Sequence, residues 1–203
     1  MLWTAVIYVF WNLAAGTGGI FTPYIVKTLG AGGQATSVGI AGAGFLIGGV
    51  AVWALFMPFS DRSFGTRKLM WGAGAVMQIV AYALYLVLPF TVPAIICNIA
   101  LFGIGQALAG EAFYKVFSQE LFPTLLRGTA QGLTFGLARV VLGFWSFFVP
   151  VLAETGIRPV AGLLAVFLLI SGAVGFFFMP DTVGRSLDEI EADRAGPPRA
   201  AHG

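Results

Sequence analysis

The sequence predicts an all-α membrane protein whose six transmembrane helices form a 3+3 inverted repeat. Three observations predict it. Hydrophobic residues fill 58% of the 203 positions, charged residues only 10%, and mean hydropathy is +0.90, whereas a soluble domain is about 25% charged. Apolar runs of about 20 residues, the length that crosses a bilayer, recur along the whole chain. Helix-weakening residues gather in the first run (Gly16, Gly18, Gly19, Pro23) and again in the fourth (Gly103, Gly105, Gly110), which are matching places in two repeats of three.

The first span, Leu2–Ile25, has no basic segment before it and no small-residue cleavage site after it, so it reads as a span and not a signal peptide. The second, Thr36–Met57, runs into a polar connection from Ser60 to Lys68. The third, Leu69–Phe90, and the fourth, Val92–Phe113, meet across Pro89 and Pro93 with almost no loop, which requires a tight helical hairpin. A mixed segment through Arg127 leads to the fifth, Thr129–Leu152, and the sixth is Pro159–Met179. Residues 1–180 are therefore the bundle and 181–203 a polar tail. In the tail, Ser186 followed by Glu189 forms a capping box that predicts a short amphipathic helix, and the stretch beyond Arg194 has nothing to bury and is expected to be disordered.

Basic residues fix the expected orientation. Arg62, Arg67, Lys68, Lys115, Arg127, Arg185, Arg194 and Arg199 fall on one side and only Lys27 and Arg158 on the other. The positive-inside rule then puts both termini in the cytoplasm, in a multi-pass protein of the cell membrane.

Composition also excludes chemistry. The lone cysteine, Cys97, sits in an apolar run, so there is no intrachain disulfide, thiolate metal cluster or redox pair. The lone histidine, His202, lies in the tail and leaves an intramembrane Ser or Cys nucleophile without a base. A net charge of +2 is too small and dispersed for nucleic acid. The expectation is a non-enzyme with no metal and no cofactor. Moving a solute across the bilayer, or helping another chain do so, is what remains. Interrupted helices in matching places point to a solute pathway between repeats, while the same glycines serve close helix packing equally well.

Three connections carry a family resemblance. Gln119-Glu120-Leu121-Phe122-Pro123-Thr124-Leu125-Leu126-Arg127-Gly128 resembles the signature after the tenth helix of sugar porters in the major facilitator superfamily. The segment Pro180-Asp181-Thr182-Val183-Gly184-Arg185-Ser186-Leu187 resembles that family's terminal motif, and the Asp61-Arg62 connection its loop between helices eight and nine, with extra residues at Phe64 and Thr66. The resemblance implies that the six spans are the carboxy-terminal half of a twelve-helix secondary transporter working by alternating access with proton coupling. It implies a small polar solute and an amino-terminal six-helix half, or a second copy, as partners. A fragment, a truncated reading frame, a chain of a split transporter and a dimerising subunit all remain open, as do a non-transporting membrane subunit and a truncated, inactive remnant of such a transporter.

Asp61, Arg62, Arg67, Glu120 and Arg127 lie at the cytoplasmic ends of different helices, where reversible pairing suits a gate and simple anchoring at the headgroups is the alternative. Arg139 stands eleven positions beyond Arg127, roughly 16 Å along a helix and near mid-membrane. It needs a cavity or an acidic partner there. Glu111 and Lys115 have the spacing of a helical ion pair, with proton carriage by Glu111 as the competing role. Asn12, Gln106, Gln131, Phe135 and Trp145 offer the amides and aromatic walls that a hydroxylated solute needs, and each can equally be interhelical glue. The family's sugar-contacting motifs in helices seven, ten and eleven are replaced here, the last by Ala138-Arg139, which leans toward an anionic solute such as a sugar acid or organic acid.

Overall fold

Lipid offers the peptide backbone no hydrogen-bond partner, so a chain this apolar must satisfy its amides internally. The computed structural model describes residues 2–28, 33–122 and 124–182, and among these every regular element is helical. The tail helix expected from Ser186 to Glu189 lies outside the described residues.

Six stretches are long and apolar enough to cross a membrane: Leu2–Phe21, Val38–Phe59, Phe64–Val87, Val92–Glu120, Leu125–Glu154 and Ile157–Phe177. Helix α1 (Leu2–Thr28) is continuous, contrary to the interruption that its glycines suggested. Gly16 and Gly18 are packing positions, where a Cβ would meet the Leu142 side chain at 2.4 Å and the Tyr82 hydroxyl at 2.6 Å, while Gly19 faces open space. Helix α2 (Gln34–Ala51) widens into a π turn, Val52–Phe56, before the short α3 (Met57–Phe59). Pro58 supplies the cause, since it has no N–H and its ring crowds the carbonyl four residues back.

Helix α4 (Phe64–Val87) begins five residues before the expected third span. Ser63 caps it, its hydroxyl accepting from the Thr66 amide at 3.1 Å, and so draws the polar Thr66–Lys68 stretch into the helix. Helix α5 (Val92–Leu108) follows immediately, with Pro93 in its first turn. The fourth span does break as its glycines suggested, at Ala109–Gly110, but the chain then resumes as α6 (Glu111–Glu120) where a loop was expected. The fifth span is α7 (Thr124–Ser146) and α8 (Phe148–Glu154), divided four residues before Pro150, which has no N–H to offer the Ser146 carbonyl. Gly156, at φ 113°, makes the left-handed turn into α9 (Ile157–Phe177).

Packing expresses the repeat. Helix α1 lies against α7 and α9, α5 lies correspondingly against α2 and α4, and α4 and α9 meet on the pseudo-axis. Helices α4 and α5 cross where Gly74 and Gly105 face each other's backbone, each leaving room for less than a methyl group: added Cβ atoms would meet carbonyl oxygens at 2.7 and 2.9 Å. On the other side of α4, Trp71 fills the notch at Gly175 and donates its indole N–H to the Gly172 carbonyl at 3.1 Å. The Trp71, Phe113 and Phe117 rings form one core, and Tyr8, Trp11, Tyr82 and Leu164 anchor a second.

Candidate functional site

At the end of the bundle where the second and third spans join, the charges converge on a single guanidinium. Arg67, in the first turns of α4, is 1% exposed. It grips Glu120 at the end of α6 with both terminal nitrogens, Nη1 to Oε2 at 2.7 Å and Nη2 to Oε1 at 3.2 Å. Nη2 also donates to Asp61 at 3.2 Å, Nη1 to Thr182 beyond α9 at 3.1 Å, and Nε to the Ser60 carbonyl at 3.0 Å. Thr182 closes the ring by donating to Glu120 at 2.5 Å. Five hydrogen bonds to a buried cation join α4, α6 and the segment after α9. The bidentate geometry is the strong form of an arginine–carboxylate pair.

The other expected gate residues stand apart. Arg62 donates to the Pro58 carbonyl at 3.1 Å and lies 4.3 Å over the Phe59 ring. Arg127 has buried Nε and Nη2 atoms without a partner among the described residues, and the carboxylates of Asp61 and Glu120 pair with Arg67. Glu111 and Lys115 form a 2.8 Å ion pair, both half exposed, at the start of α6.

The residues expected to line a pathway fall into separate places. Gln106 borders a cavity of about 210 Å³ among α1, α2 and α5, together with Gly18, Gly19, Gly44, Phe102 and Asn98. Helices α1 and α5 barely touch, so the cavity occupies the gap between the equivalent first helices of the two repeats. Tyr82 of α4 closes its floor and donates to the Ala14 carbonyl at 3.4 Å. Amides and ring faces around a cavity of this size suit a small hydroxylated solute.

Phe135 belongs instead to an aromatic layer between α1, α6 and α7. Its ring meets Tyr8 at 4.7 Å and Tyr114 at 5.5 Å, and Tyr8 and Tyr114 stack at 4.2 Å. Asn12 is buried one turn from Tyr8, its Oδ1 without a hydrogen-bond partner among the described residues. Arg139 is exposed, one turn beyond Phe135 and near the middle of the fifth span, while Gln131 is half-buried one turn before. Trp145 is committed elsewhere: its indole donates to Thr17 at 2.8 Å and its ring lies edge-on to Phe167, tying α7 to α1 and α9.

Tyr8, Gln78, Asn98 and Tyr114 escape sequence reasoning. Gln78 accepts from Trp11 Nε1 at 2.9 Å and donates to the carbonyls of Gly105 at 3.2 Å and Ala109 at 2.9 Å, satisfying groups at the α5–α6 break. A buried glutamine facing a glycine-rich span is the only signal in the chain that points to it. Among the described residues no three His, Cys, Asp or Glu side chains group as metal ligands.

Comparison with known proteins gives the arrangement a lineage. The family of sugar (and other) transporters matches residues 2–193. The chain is 36% identical over 196 residues to the minor myo-inositol transporter IolF of Bacillus subtilis (strain 168), covering 96% of this chain and 44% of that protein. It is 29% identical over 181 residues to the probable metabolite transport protein CsbC of the same organism, covering 85% and 38%. It is 25% identical over 174 residues to organic anion transporter 3 of Oryctolagus cuniculus, covering 85% and 31%. The chain thus spans less than half the length of each of these relatives. With its six membrane helices in two related sets of three, this multi-pass membrane chain belongs to the sugar (and other) transporter family and has the architecture of half a major facilitator fold.

Proposed function

We propose that the chain is the carboxy-terminal half of a secondary transporter that moves a sugar or polyol across the cell membrane by alternating access, driven by a proton gradient. The cavity between α1, α2 and α5 carries this reading, because it places the Gln106 amide and the Phe102 ring in the gap between the paired first helices of the repeats. The likeness to a myo-inositol transporter supports a polyol. Both termini and the Arg67 cluster face the cytoplasm by the distribution of basic residues. An amino-terminal six-helix half, or a second copy, covers the polar face.

Alternating access needs contacts at one end that hold in one state and part in the other. Asp61, Arg67, Glu120 and Thr182 supply them, and Arg62 and Arg127 flank them. Glu111 pairs with Lys115 at 2.8 Å, which favours a structural role for it over proton carriage.

Arg139 favours a second reading. A guanidinium exposed at mid-span does not face lipid, and as a fixed cation beside the pathway it selects an anionic solute. A relative that is an organic anion transporter supports this alternative.

The test is uptake into liposomes holding the chain, alone and with an amino-terminal half, from a labelled panel of hexoses, polyols, sugar acids and small carboxylates. Polyol uptake stimulated by an inward proton gradient and collapsed by a proton ionophore is the expected result. Uptake confined to carboxylates and lost in Arg139→Ala establishes the anionic reading. No uptake by any assembly refutes both.

A further inference from the structure

Two polar atoms of α1 are shut away from water with no hydrogen-bond partner among the described residues: the Tyr8 hydroxyl and Asn12 Oδ1. Tyr8 is 1% exposed and Asn12 4%. Four residues apart, they stand on one helix face, which continues to Gly16 and its contact with Leu142 of α7. Buried polar groups are nearly always paired, and a phenylalanine at position 8 would fill the same space without an orphaned oxygen. Packing therefore does not account for this tyrosine.

The surroundings do. Tyr8 is flanked by the stacked Tyr114 ring at 4.2 Å and the Phe135 ring at 4.7 Å. Arg139 follows Phe135 by one turn on α7. Aromatic faces beside a hydroxyl and an amide oxygen form the set that recognises a polyhydroxylated ring, whose C–H faces pack on the rings while its hydroxyls pair at the edge. Arg139 marks where this cluster reaches the exposed face of α7.

We infer that Tyr8 is a specificity-determining residue, donating to a ring hydroxyl of the solute when α7 draws away from α1, with Asn12 Oδ1 accepting from the neighbouring hydroxyl. The orphaned atoms are those that a solute satisfies. This inference rests on the polyol reading above and adds to it the side chain that reads the hydroxyl pattern.

The test uses the full chain in liposomes, alone and with an amino-terminal half, with labelled myo-inositol and its monodeoxy analogues in equilibrium binding, and thermal unfolding alongside. Tyr8→Phe should weaken myo-inositol binding about fivefold, the worth of one neutral hydrogen bond, and leave the unfolding midpoint equal or slightly higher. One monodeoxy analogue should bind the wild-type chain about fivefold more weakly than myo-inositol, and bind Tyr8→Phe no differently from it. Wild-type affinity in Tyr8→Phe overturns the inference while leaving the polyol reading intact. Absence of polyol binding in either assembly overturns the polyol reading, and this contact with it.

Discussion

At the scale of single residues, burial separates charges that look alike in sequence. Arg67 is enclosed and fully bonded, whereas Asp61, one of its partners, is 81% exposed and Glu120 26%. Breaking a buried pair leaves an uncompensated charge, so Arg67→Ala should destabilise the chain by on the order of 3 kcal/mol. Asp61→Asn should change stability by at most about 0.5 kcal/mol, as exposed pairs do. Thermal unfolding of both variants in detergent checks the contrast, and equal effects would mean that the buried cation is not the organising charge. Asp61, Glu120 and Arg67 were each legible as candidates from their loop motifs. Which of the arginines held the carboxylates was not, because Arg62, Arg67 and Arg127 all lie within reach of the same helix ends.

At the scale of elements, the break between α5 and α6 is the feature with most mechanical consequence. Gly110 is irreplaceable there, because a Cβ would meet the Gln106 carbonyl at 2.4 Å and the Trp11 ring at 3.0 Å. Gln78 braces the break from α4 and receives the Trp11 indole from α1. Gln78→Leu should therefore cost about 2 kcal/mol by orphaning buried groups on two other helices. It should also raise amide hydrogen exchange around residues 105–114 more than along α9. Uniform exchange changes would show that Gln78 supports the bundle generally and not the break. Glycine clusters in the first and fourth spans read identically in sequence, yet only the fourth is broken. The distinction lies in neighbours: Leu142 and Tyr82 fill the space beside Gly16 and Gly18, whereas Gly110 has Trp11 and a backbone carbonyl against it.

At the scale of the whole molecule, the second and fifth spans are the least covered, with 17% of their residues buried against 39–44% in the other four. One side of each is suited to lipid, as Trp53 and Phe144 indicate by their exposure. Arg139 cannot share that side. In membranes, in a Cys97→Ser background, Arg139→Cys should react with a membrane-impermeant thiol reagent, and Trp53→Cys should not. An unreactive Arg139→Cys would place that face against lipid or protein and remove it from the solute pathway.

By itself the sequence determined the solvent, the number of spans, the hairpin at Pro89–Pro93 and the family, because each of these depends on composition and short-range spacing that lipid and backbone chemistry constrain directly. Only the tertiary structure decided that Arg67 gathers Glu120, Asp61 and Thr182, that Trp145 is committed to Thr17, and that the Tyr8 hydroxyl and Asn12 Oδ1 lie buried with no hydrogen-bond partner among the described residues. Those outcomes join residues up to 128 positions apart. Helices in lipid choose such partners by the shape of facing grooves, where a glycine admits one side chain and excludes another, and that information resides in pairs of helices and in no single one.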